Sequence, residues 1–319
     1  MSFQDIKGQD KAIQILKEHI KNSRLAMSYL FIGPDGVGKR LVAKTLAKVV
    51  NCQEGIWDSC DKCVSCLKIE KGQHPDIHFI DNDESEIKIE NIRQLQSEIN
   101  LRPYEARHKV FIINKAHKLN IASANAFLKT LEESPGESLI ILVTEKPALL
   151  PKTIISRCQI IKFYPLKRPI LEGVLEEDYT LHKTLAHFLA YFCEGRLGSA
   201  LRLKETDILQ RKNKLIDEFA LAKKLDFDNF SSHNREETRT CLNILASWFR
   251  DLYLLKVGMS HSELINLDRK TELLNLMQSF SFFELDDILN FISDSLLNLD
   301  ENINVKLLQS NLKAELWKE

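Results

Sequence analysis

The hydrophobic and polar positions divide the chain into two textures. From residue 28 to about 164, short apolar runs alternate with segments of helical period. Tyr29-Leu30-Phe31-Ile32, Lys109-Val110-Phe111-Ile112-Ile113-Asn114 and Leu139-Ile140-Ile141-Leu142-Val143-Thr144 have the length and near-continuous apolarity of strands buried on both faces of a parallel sheet. His74 to Asp81 alternates as a strand does, and Ile160-Ile161-Lys162-Phe163 predicts a last short one. Helices are predicted over residues 9 to 23, with Ala12, Ile13, Leu16 and Ile20 on one face, and over Ile89 to Asn100, with Ile92, Leu95 and Ile99. A third carries Ala124, Phe127, Leu128 and Leu131 and is stopped by Ser134-Pro135-Gly136. Beyond Pro165 glycine and proline thin out and helical patterns take over. Residues 166 to 204 suit a small helical bundle. Residues 206 to 319 suit longer amphipathic helices, broken at polar stretches such as Ser231-Ser232-His233-Asn234. The pattern predicts an α/β domain with a mostly parallel sheet, followed by an all-helical remainder.

Into this frame falls Gly33-Pro34-Asp35-Gly36-Val37-Gly38-Lys39-Arg40, between the first strand and a helix. Strand, G-x-x-x-x-G-K loop and helix in that order make a phosphate-binding loop, in which backbone N–H groups and a helix N-terminus converge on an anion. Lys39 would reach the outer phosphates. Arg40 stands where serine or threonine would hold Mg²⁺, and a guanidinium has no acceptor to offer a metal.

Composition adds little. With 44% hydrophobic and 28% charged residues and a formal net charge of −1, the chain has the balance of a globular protein. It has no whole-chain electrostatic pull on nucleic acid. No apolar run reaches the roughly 18 residues of a membrane span. The opening Met1-Ser2-Phe3-Gln4-Asp5 lacks a basic-then-apolar leader, so the cytoplasm is the expected compartment.

The cysteines change the picture. Cys52, Cys60, Cys63 and Cys66 fall within fifteen residues of a total of seven in the chain. Two overlapping C-x2-C steps bring three thiolates to one point, and Cys52, from the end of the preceding helix, can close a tetrahedron. Four thiolates suit a structural Zn²⁺ with no place left for water. An iron–sulfur cluster uses the same ligand set, so the residues alone leave the metal open. His74 and His78 are read as strand or turn residues.

In order and spacing, several short stretches resemble one family. They are Tyr29-Leu30-Phe31 leading into the glycine loop, the four-cysteine knuckle after the next helix, and Ser123-Ala124-Asn125-Ala126-Phe127-Leu128-Lys129-Thr130-Leu131-Glu132-Glu133-Ser134-Pro135. Leu150-Pro151, Ser156-Arg157-Cys158-Gln159, Trp248-Phe249-Arg250-Asp251-Leu252 and Asn302-Ile303-Asn304-Val305-Lys306-Leu307 complete the set. The chain resembles the delta-prime subunits of the bacterial DNA polymerase III clamp loader, within the AAA+ superfamily. The resemblance implies an AAA+ P-loop-type α/β domain at 1–165 with an inserted zinc knuckle at 52–66, a helical lid at 166–205 and a helical collar for oligomerisation at 206–319. It implies a hetero-pentameric ring with gamma/tau and delta subunits, which loads a sliding clamp on primed DNA at the replisome. It also implies that Arg157 is a catalytic arginine given in trans to a neighbour's ATP site.

Three departures from an active member predict that this subunit does not hydrolyse ATP. Arg40 replaces the Mg²⁺ ligand, and Asn114-Lys115 replaces the acidic pair expected at the strand end. Gly198 falls where the lid would carry an arginine, with Arg196 and Arg202 off register. Thr144 fits a sensor of the γ-phosphate. Gly33, Gly36, Gly38, Lys39 and Thr144 thus form a degenerate nucleotide site, either a residual phosphate cradle or scaffold alone, with no Mg²⁺ expected. Two other readings are a working ATPase of the gamma/tau type, against which Arg40, Asn114 and Lys115 weigh, and a stand-alone zinc-containing nucleic-acid binder.

Overall fold

The computed structural model describes residues 1–55, 57–81, 86–132, 137–221 and 235–300. The breaks predicted at Ser134-Pro135 and Ser231 to Asn234, and the segment Asn302 to Leu307, lie outside the described residues. By its contacts the chain divides into two units. The first is Met1–Leu166 with Arg196–Ser199, and the second is Lys167–Gly195 with the residues from Ala200 onward.

Unit one runs α1 (Asp10–Lys21), β1 (Ser28–Ile32), α2 (Lys39–Asn51), α3 (Val64–Glu70), β2 (Ile77–Ile80), α4 (Ile89–Ile99), β3 (Lys109–Ile113), α5 (Ile121–Glu132), β4 (Ser138–Thr144), α6 (Lys152–Ile155) and β5 (Gln159–Lys162). The five strands form one sheet in the order β2-β3-β4-β1-β5, and every neighbouring pair is parallel. All residues of β3 and β4 are buried, which is why their sequences carry no alternation. Successive side chains point to opposite faces. Tyr29, Phe31, Val110, Ile112, Leu139, Ile141 and Val143 pack on one face with Leu16 of α1 and Val42 and Leu46 of α2. Leu30, Phe111, Ile113, Ile140 and Leu142 pack on the other with Ile92 and Leu95 of α4 and Phe127 of α5.

The strand order places a switch point beside β1. The chain leaves β1, skips two strand positions, and returns through β3 and β4, so the carboxyl ends of β1 and β4 flank the place where α/β folds hold ligands. The glycine loop follows β1 directly and is tied there by Gly33 N–H donating to Thr144 O at 3.3 Å.

The predicted strand from His74 is shorter than its alternation. His74 and Asp76 are buried turn residues just before β2, which begins at Ile77. The reason is chemical. The Asp76 carboxylate accepts the backbone N–H groups of Tyr104, Glu105 and Ala106 at 2.8–2.9 Å, pinning the loop that leads into β3. Burial by itself would raise this carboxyl, but the three donors outweigh it and hold its pKa below the ordinary value.

Unit two holds α7 (Arg168–Glu177), α8 (Lys183–Phe192), α10 (Ile208–Leu215), α11 (Arg235–Val257), α12 (Lys270–Leu276) and α13 (Phe282–Asp300), with α9 (Leu197–Lys204) beginning in unit one and ending here. Helix α7 packs on α8, and α11 packs on α13 and α12. Trp248 is fully buried on α11. Asp251, also on α11 and fully buried, accepts the N–H groups of Ile265 and Asn266 and the Asn266 side-chain amide. Lys212 is buried too, with Nζ 2.6 Å from both Asp268 carboxylate oxygens and over the Phe188 ring. Trp248 and Phe249 are therefore core, and the buried charges of Asp251 and Lys212 are paired internally, while Asn266 Oδ1 is buried with no hydrogen-bond partner.

Because its folded-state pKa is depressed, Asp76 adds stability that is present above its unfolded value of about 3.9 and is lost as pH falls through the folded value. Acid titration of unfolding should show this loss below about pH 4. Asp76→Asn should flatten that limb and cost about 1–3 kcal/mol at neutral pH, as read by denaturant melts.

Candidate functional site

The glycine loop closes on itself. Gly38 caps α2 with a left-handed φ of 97°, and Gly36 has a φ of 78°. Lys39, the first residue of α2, is buried, and its Nζ donates to the carbonyls of Gly33 at 2.7 Å and Pro34 at 2.6 Å. Burial lowers its pKa, opposed by the charges of Asp35 and Glu145. Gly36 O accepts the Gly198 N–H at 2.7 Å. A Cβ on Gly36 would lie 2.2 Å from Ser199 Oγ, and a Cβ on Gly198 would lie 2.8 Å from Gly36 O. Gly198 is thus in backbone contact with the loop. Arg40 pairs with Asp81, just past β2.

The neighbouring strand ends are similarly occupied. Asn114 follows β3 and continues its ladder, with N–H donating to Ile80 O at 3.0 Å. Lys115 adopts a left-handed turn with φ of 49°. His117 Nδ1 lies 3.1 Å from Thr144 Oγ1, and Lys146 N–H donates to the same oxygen at 3.1 Å. His117 Nε2 lies 3.8 Å from a Glu145 carboxylate oxygen, and burial depresses the ring's pKa. His117 and Thr144 are thus hydrogen-bonded to each other, the ring's tautomer setting which of them donates.

Arg157 stands apart from this loop, just after α6. Its Nε donates to Glu132 Oε1 at 2.8 Å, Nη2 to the same oxygen, and Nη1 to Thr153 O at 2.9 Å. The structure thus brings Gly33, Gly36, Gly38, Lys39 and Thr144 together and leaves Arg157 and the cysteines elsewhere. Sequence reasoning missed the partners: Asp81 for Arg40, His117 for Thr144, Glu132 for Arg157, and Gly198-Ser199 for Gly36. No spacing links them, because each pair joins separate elements.

The four cysteine sulfurs of residues 52, 60, 63 and 66 lie within 4.8 Å of one another. Four thiolates about 2.3 Å from one zinc would stand ~3.8 Å apart, so this cluster fits a metal ion with little closure. Cys52 caps the end of α2, as its position in the sequence implies, and Cys63 caps α3, a helix inside the knuckle that the sequence pattern does not announce. Backbone N–H groups point at sulfur: Gly55 and Cys60 at Cys52 (3.1 and 3.4 Å), Cys63 at Cys60 (3.3 Å), Cys66 at Cys63 (3.5 Å). Burial raises the Cys52 thiol, yet the amides of Cys60, Gly55 and Glu54 bring it down to about 7, toward the thiolate a metal requires. Lys48 anchors the knuckle to α2. Its buried Nζ bonds Asp61 at 2.7 Å, Glu70 at 2.8 Å and Met1 O at 2.7 Å. Hydrogen bonds from Lys44 and Lys48 hold the Glu70 carboxyl down at about 2.

Gly55 is sterically required. A Cβ there would fall 2.0 Å from Asp58 O and 3.1 Å from Cys52 Sγ. Gly55→Ala should weaken metal retention by about 10–100-fold and destabilise unit one by about 1–3 kcal/mol, as measured by competition with a chelator and by denaturant melts.

Among the described residues no helix is long and apolar enough to cross a membrane. The family model described as DNA polymerase III, delta subunit, matches residues 8–167, and that described as DNA polymerase III, delta subunit, C terminal, matches residues 206–313. The chain is 31% identical over 322 residues to DNA polymerase III subunit delta' of Bacillus subtilis, covering 95% of this chain and 94% of that one. It is 38% identical over 213 residues to DNA polymerase III subunit tau of Escherichia coli, covering 65% of this chain and 33% of the longer relative. A DNA polymerase III gamma subunit-related protein from Thermotoga maritima superposes with a TM-score of 0.52 at 18% identity, over 96% of this chain and 98% of that chain, and shares the fold. Two family models in tandem and a similarity running nearly end to end lead to one conclusion: the chain belongs to the DNA polymerase III delta subunit family.

Proposed function

We propose that this protein is the delta-prime-type subunit of a clamp loader, one that does not turn over ATP and that lends Arg157 to a neighbouring ATPase subunit. The observation that carries this reading is the internal pairing of three side chains at the loop. Lys39 is bonded to loop carbonyls, Arg40 to Asp81, and the Thr144 hydroxyl to His117. Phosphoryl transfer is mostly positioning and charge neutralisation. With Asn114 and Lys115 in place of two carboxylates, the strand end lacks the anionic ligands that would hold Mg²⁺ and orient a water. In this reading residues 1–165 form the P-loop-type domain, 166–205 the lid and 206–319 the collar. The collar joins gamma/tau and delta subunits in a pentameric ring, in the cytoplasm, that places a sliding clamp on primed DNA.

The four-cysteine cluster completes the proposal as a structural zinc site, held by Cys52, Cys60, Cys63 and Cys66. All four positions of a tetrahedron are taken by protein sulfur, so the ion would stiffen the knuckle rather than activate water. A second reading, a working ATPase of the gamma/tau type, draws on the 38% identity to tau over 65% of the chain. Arg40 and Lys115 oppose it, since each sets a cation where that chemistry needs an oxygen ligand.

Steady-state hydrolysis by the isolated protein should not exceed background; turnover abolished by Lys39→Ala would establish the second reading instead. In the reconstituted ring, Arg157→Ala should slow hydrolysis by up to three orders of magnitude or more while assembly by gel filtration is unchanged. Elemental analysis should return about one zinc per chain; iron in its place would identify a cluster.

A further inference from the structure

We propose that Glu132 is the positioning residue for Arg157: it holds the guanidinium in one orientation and leaves its outward donors for a phosphate of a neighbouring subunit. This inference rests on the proposal that Arg157 acts in trans.

A guanidinium has five N–H donors. Three are spent within the chain. Nε and Nη2 both address Oε1 of Glu132, and Nη1 donates to Thr153 O at 2.9 Å. Two donors remain, one on Nη1 and one on Nη2, which is the number a bidentate phosphate contact uses. The fixing elements come from different parts of the fold. Glu132 is the last residue of α5, and Thr153 lies within α6, one turn before Arg157. The Thr153 carbonyl also accepts Ser156 Oγ at 3.1 Å, so the short α6 is closed at its end by two side chains. The pair sits at the surface, with side chains 35% exposed for Arg157 and 49% for Glu132. An ion pair this exposed contributes little to stability. It does remove rotamer freedom from a long side chain. An arginine that must meet a developing charge in another subunit gains most from arriving in a single geometry, because misplacement by about 1 Å can cost 10²-fold in rate.

The remaining carboxylate oxygen of Glu132 keeps the pair from becoming a two-pronged clasp. Both arginine donors converge on Oε1, and no hydrogen bond from Arg157 engages Oε2. The carboxylate therefore orients one edge of the guanidinium without covering its end.

The test uses the complete ring with its ATPase partners, the clamp and primed DNA. Glu132→Ala should lower kcat for ATP hydrolysis on the order of tenfold, with KM for ATP and ring assembly unchanged. In an Arg157→Ala background the same substitution should produce no further loss. Glu132→Gln, which retains size and one acceptor, carries the same comparison if the alanine variant does not fold, with a smaller loss. Full or increased activity of the Glu132 variants, while Arg157→Ala is slow, would overturn the positioning role. So would a loss that persists undiminished in the Arg157→Ala background. An unchanged rate for Arg157→Ala itself would remove the trans-acting arginine, and this inference with it. That result is distinct from the other two because it needs no Glu132 variant.

Discussion

A buried ammonium demands acceptors, and in this chain the glycine loop supplies them from its own backbone. Lys39 sits at the mouth of α2 with two carbonyls in reach, and the loop is folded tightly enough to present both. The rest of the crevice follows the same rule. Several polar groups around the loop find partners inside the chain: the arginine an aspartate, the threonine a histidine, one glycine carbonyl another glycine's amide. The same loop also serves the fold, since it connects β1 with α2.

Much of this was legible in the residues. Wholly apolar strands, a G-x-x-x-x-G-K turn and clustered C-x2-C steps are local signals, and local signals survive translation into three dimensions. The five strands fall close to the stretches read as such, and Cys52 closes the knuckle from the end of α2. The same reading began β2 three residues early, since the alternation from His74 to Asp76 reflects a buried carboxylate serving three amides rather than a pleat. It also gave no warning of α3, whose seven residues are too few to show a helical period.

What stayed hidden was pairing across elements. Arg40 and Asp81 are 41 residues apart, and Arg157 and Glu132 are 25 apart. Neither separation has a periodicity to betray it; the contact exists only because parallel crossovers return the chain to one end of the sheet. Gly198 illustrates the point. On sequence it is a missing arginine, whereas in three dimensions it is a required small residue, because anything larger would strike Gly36.

Helix α2 gives these two features a common mechanical frame. Its thirteen residues begin at the lysine of the loop and end at the first sulfur of the knuckle, a rod about 20 Å long. The knuckle grips the far end of that rod through Cys52 and the Lys48 ion network. One continuous helix, packed on the sheet through Val42 and Leu46, thus joins the cysteine cluster to residue 39.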